Sequence, residues 1–104
     1  MIPQKNIEEL ISKHSLLEKE LSVGDVDKKL FAEKSKEYSD LNDVIDDAKK
    51  YSSYEREKKD LEKILGDVNS DAEFKIMAET ELKDLKSENE IIEKKLKLFL
   101  LPKD

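Results

Sequence analysis

The chain has 104 residues, 44% of them charged and 37% apolar, with a net charge of −6. That length holds one small domain at most, and two glycines and two prolines are too few to punctuate a β-rich fold. The acidic balance disfavours a protein whose main task is neutralising phosphates. Little direct nucleic-acid binding is therefore expected, and protein partners are the easier reading.

With no cysteine, the chain forms neither a disulfide nor a thiolate metal site. Its first twenty residues carry Lys5, Glu8, Glu9, Lys13, Glu18, Lys19 and Glu20, which argues against the apolar core of a signal peptide. No apolar run approaches the roughly 18 residues a membrane span needs. A soluble cytoplasmic chain without a cofactor is the expectation.

Ile7, Leu10, His14, Leu17 and Leu21 step by three and four residues, the spacing of a helical seam. The first helix is predicted over about 4–22, with Pro3 in the first turn or Asn6 and Glu9 as a capping box one turn later. Gly24 can take the left-handed conformation that ends helices. Asp25 or Asp27 then caps the next one.

The second helix is predicted over about 27–65, with Phe31, Tyr38, Leu41, Ile45 and Ala48 on one stripe. The stripe lapses between Tyr51 and Asp60, and Ser52 with Glu55 could form a capping box. One helix of roughly 40 residues is the reading; a break near Ser52–Ser53 is the alternative. Gly66 is expected to stop it. The third helix is predicted over about 70–101, capped by Asn69 or by Ser70 with Glu73. Ala78, Leu82, Leu85, Asn89, Ile92, Leu96 and Phe99 form its seam. Pro102 disfavours helical geometry at Leu101.

Short turns make neighbouring helices antiparallel. This seam phase puts Leu61 near Ala78, Tyr54 near Leu85, Ala48 near Ile92 and Leu41 near Phe99. It also puts Leu17 by Phe31 and Leu10 by Tyr38. The predicted fold is all-α: an elongated antiparallel helical hairpin or coiled coil on a three-helix base.

Few residues point to chemistry. His14 is the sole histidine and sits on a seam without a partner ligand motif, so a structural role is favoured. Asp40, Asp43, Asp46 and Asp47 lack the glycine and ligand spacing of a calcium loop. They read as a solvated acidic face, with a protein-binding patch second. Tyr51 and Tyr54 lie among Lys49, Lys50, Arg56, Lys58 and Lys59, a pattern that can clamp RNA. Interspersed Glu55, Glu57 and Asp60 favour a structural role instead. Asn89 in a leucine seam commonly sets helix register. No phosphate loop, nucleophile elbow or paired-acid arrangement occurs, so no catalytic, cofactor or metal residue is assigned.

The ending "KLKLFLLPKD" stands apart, since four consecutive apolar residues exceed the single stripe a helix buries. "LKLFLLPKD" resembles the end of the N-terminal helical domain of bacterial class I peptide chain release factors, of the type that reads UAA and UAG. "KEYSDLNDV", with Glu37, Tyr38, Leu41 and Val44, is similar to that family's second helix. "MAETELKDL", with Met77, Ala78, Glu81 and Leu82, is similar to the start of its last helix. The resemblance covers essentially the whole chain, and the exit segment is its most specific part.

The resemblance implies a role in translation termination, with the ribosome and a GTPase release factor as partners and the large-subunit stalk base as the contact. It makes Leu98, Phe99, Leu101 and Pro102 the junction with downstream domains. The family's GGQ motif and stop-codon-reading tripeptide are absent here, so no catalytic or decoding residue carries over. A structural coiled-coil adaptor or chaperone-like hairpin fits the composition too. The helical RNA-binding arm of a synthetase-type enzyme is disfavoured by the acidity.

Overall fold

The computed structural model describes residues 1–24 and 26–102. Three helices follow in order: α1 (Gln4–Val23), α2 (Lys28–Gly66) and α3 (Ala72–Leu100). At about 1.5 Å per residue, the 39 residues of α2 span about 58 Å, and they set the long axis of a molecule measuring 61 × 32 × 19 Å. Both α1 and α3 pack on α2. No strand occurs among the described residues.

Local chemistry sets most helix ends. Gly24 adopts φ 72°, the left-handed geometry that closes α1. Asp27 caps α2 by accepting a hydrogen bond from the Lys29 N–H at 3.3 Å; Asp25, the other expected cap, lies outside the described residues. Pro3 is the N-cap of α1, so the capping box from Asn6 is not used. Leu101 is extended, with φ −65° and ψ 140°, as the residue before a proline should be.

The second turn departs from expectation. Gly66 stays helical and has no positive φ. Asp67 ends the helix by turning extended, with its N–H bonded back to Ile64 O. Its carboxylate accepts from the Asn69 N–H at 2.9 Å, and its carbonyl accepts from the Ser70 N–H at 3.2 Å. That turn engages both residues predicted to cap α3, so Asp71 becomes the N-cap, without a side-chain bond. Glu73 remains in the first turn, where a carboxylate suits the helix dipole.

No break occurs at Ser52–Ser53. Ser53 Oγ lies 3.2 Å from Lys50 O, a side chain returning to its own helix. Ser52 Oγ accepts from Gln4 Nε2 at 3.0 Å across to α1. The lapse in the apolar stripe marks a change of neighbour, with the backbone continuous.

One buried cluster joins Ile2, Ile7, Leu10 and Leu17 with Leu41, Val44, Ile45, Ala48, Ile92 and Leu96. On α2, positions 41, 45 and 48 share one stripe, while 44, 48 and 51 share the next. A spine with a helix on each flank must bury both stripes, which is why Val44 falls outside a single-seam reading. Ile2 and Ile7 occupy the two positions of a hydrophobic staple around the Pro3 cap, and both are buried.

The register of α1 on α2 differs from the expected one. Tyr38 stacks on His14, with ring centroids 4.9 Å apart, and its hydroxyl donates to Glu18 at 3.1 Å. Glu20 pairs with Lys34. Phe31, expected against Leu17 in the base, is 49% exposed. These contacts pair α1 with residues further along α2 than the seam phase predicts. As a result Ile2 N–H reaches Tyr51 OH at 3.0 Å. The α2–α3 register agrees with the seam reading: Lys50 pairs with Glu88 at 3.0 Å, and Leu41 and Phe99 line one hollow.

Beyond this core, the distal half is a two-helix hairpin in which Ala78 is the one buried apolar residue. Local opening follows buried contact density. Amides at 41–48 are therefore expected to exchange slowest, and those at 57–64 and 76–86 much faster. Uniform protection in native-state exchange would contradict this distribution.

Candidate functional site

The four apolar residues at the end of α3 take four directions, because successive helical positions turn by about 100°. Phe99 packs against the core cluster. Leu98 is 71% exposed, Leu101 is largely exposed and Leu100 is partly exposed. Pro102 is exposed and non-helical. Of the predicted junction, then, Phe99 faces inward while Leu98, Leu101 and Pro102 face solvent.

Further exposed apolar residues lie at the opposite end. Val68, Phe74, Ile76 and Met77 are exposed around the α2–α3 turn. Periodicity did not single them out, because they lie off the α3 seam. The available signal was compositional: three large apolar residues within one turn of α3, outside its buried stripe.

His14, the tyrosines and the ion-paired side chains hold the fold together. His14 is 8% exposed, and its Nε2 lies 2.5 Å from Asn42 Oδ1. With the ring on Tyr38 and one nitrogen on an amide, it fills a seam position polar at one edge. The hydrogen bond to Glu18, with that carboxylate's charge, holds the Tyr38 hydroxyl above its usual pKa. Tyr51 receives the Ile2 N–H, and Tyr54 lines the α2–α3 groove with Leu85 and Ile92. Both tyrosines are half-buried. The hydrogen bond to Glu88 raises the Lys50 pKa. Glu93 bonds the Met1 amino group at 3.0 Å and Lys97 at 3.1 Å, and those contacts lower its carboxyl pKa.

Among the described residues, no group of three His, Cys, Asp or Glu side chains could hold a metal ion. The acidic run at Asp40–Asp47 is spread around a helix, and Asp40 lies 3.6 Å from Lys36. No helix is long and apolar enough to cross a membrane.

Asn89 Oδ1 is buried without a hydrogen-bond partner. An unsatisfied buried acceptor costs about 1–3 kcal/mol. Replacing Asn89 with leucine is therefore expected to stabilise the chain by about 1–2 kcal/mol in urea unfolding, while weakening a polar register mark. A fall in stability would show that the amide is satisfied.

The PCRF domain model matches residues 10–104. The chain is 84% identical over all its 104 residues to the peptide chain release factor 1 of Pelagibacter ubique (strain HTCC1062), covering 29% of that protein. It is 42% identical over 100 residues, 94% of its length, to the peptide chain release factor 1 of Agathobacter rectalis, covering 28% of it. No solved structure matches. The chain thus spans less than a third of the length of these curated relatives. With residues 10–104 matched and the whole length aligned to a release factor, the chain belongs to the PCRF domain family of peptide chain release factors.

Proposed function

We propose that this chain is the N-terminal arm, spanning residues 1–104, of a class I release factor that directs termination at UAA and UAG in the cytoplasm. The observation that carries the reading is the 84% identity along its entire length to a peptide chain release factor 1. In this reading the arm is non-catalytic. Decoding and GGQ domains downstream read the codon and promote peptidyl-tRNA hydrolysis on the ribosome.

The elongated shape suits an arm that positions rather than reacts. At its far end, Val68, Phe74, Ile76 and Met77 leave exposed apolar side chains on more than one face of the hairpin tip. We assign that tip to the stalk base of the large subunit, near where the GTPase release factor acts. The near end, through Leu98, Phe99, Leu101 and Pro102, is assigned to the interdomain junction.

The decisive check is the coding sequence that follows codon 104. A GGQ-containing domain in the same reading frame is the expected result. Its absence would remove the proposal and leave a structural helical hairpin.

A further inference from the structure

Beside the end of α3 lies a hollow of about 310 Å³ that opens to solvent between all three helices. Leu10 and Leu41, both buried, form its floor, and Phe99 and Leu100 form one wall. Its rim carries three carboxylates, Glu9, Glu37 and Asp40, against one ammonium, Lys13. Lys13 pairs with Glu37 across the α1–α2 groove and Lys36 lies 3.6 Å from Asp40, which leaves Glu9 as the net negative charge of the rim.

We infer that this hollow is the receptor for the segment that follows Asp104 in the full-length protein, which seats an apolar side chain there beside a basic residue. The inference rests on the release-factor reading only in requiring that the chain continue, as it does in relatives of which this stretch is 29%.

Two observations select that occupant. The backbone leaves α3 at the wall of the hollow, because Leu100 lines it and the next residue is already extended. A segment tethered so close acts at an effective concentration in the millimolar range, so a modest apolar contact suffices to hold it. The anionic rim favours a cationic flank and opposes a second copy of this chain, whose net charge is −6. Inter-domain contacts within one chain are of this mixed polar and apolar kind.

The test uses the full-length protein with a photoreactive benzophenone side chain at Asn6, which lines the hollow and is exposed. Irradiation should join position 6 to a peptide beyond residue 104 within one monomer, as mass spectrometry of the monomer band would show. Leu100→Glu should lower that yield at least fivefold, and so should Glu9→Lys combined with Asp40→Lys. Ile91→Glu, an exposed site elsewhere on α3, should leave it unchanged. Links confined to residues 1–104, or links between two chains, would overturn the inference. This readout does not depend on peptide release, so it separates from failure of the functional reading.

Discussion

Replacing Leu96 with alanine is expected to cost about 2–5 kcal/mol of folding free energy, the usual range for emptying a fully buried leucine site. Leu96 is completely buried, as are Ile7 and Ala48 of the same cluster. Domains of this size are stable by only about 5–15 kcal/mol, and each kcal/mol lowers the melting temperature by about 4–8 °C. A drop of at least about 10 °C in thermal unfolding is the expected result. Leu98→Ala is the internal control, two residues along the same helix but 71% exposed. It should change stability by no more than about 0.5 kcal/mol. Equal effects from the two substitutions would refute the assignment of the α3 seam.

The second large effect is functional. Residues 1–104 alone should release no peptide from ribosomes halted at a stop codon. The chain supplies no GGQ motif, and its single histidine is held between Tyr38 and Asn42. The same gene carried through its downstream domains should release peptide at UAA and UAG and not efficiently at UGA. Exchanging Leu98 and Leu101 for polar residues in that longer protein should act through domain packing. An unpartnered polar group in a buried contact costs about 1–3 kcal/mol, which loosens an interface without reaching the reaction centre. The expected signature is an altered unfolding profile with the release rate at saturating factor little changed. Release by the short chain would defeat the proposal, and so would a longer protein with UGA as its preferred codon.

Much of this was legible before any coordinates. Ile7, Leu10, His14 and Leu17 mark α1 by spacing alone, and all four are buried. Ala78, Ile92 and Leu96 do the same for α3. The family was legible in the exit segment around Leu98–Pro102, because an apolar helix end running into a proline is far more specific than a charged helix. The candidate surfaces were half legible. Consecutive apolar residues at 98–101 showed that one helical stripe could not bury them all, while the direction each one faces required the register. Val68, Phe74, Ile76 and Met77 carried no periodic signal.

What the sequence by itself determined is local. Gly24 supplies a left-handed residue, Asp27 a cap and Pro102 a stop, and each acts through bonds and sterics within a few residues of itself. Helix spacing is equally local, since 3.6 residues per turn follows from the backbone. Tertiary structure decided what each face meets. Whether α1 starts pairing at Phe31 or further along depends on how residues 24–27 turn. The choice falls to contacts far apart in sequence: Ile2 with Tyr51, His14 with Asn42, Glu18 with Tyr38. Burying Val44 and Ile2 while leaving Phe31 at the surface is the outcome of that sum.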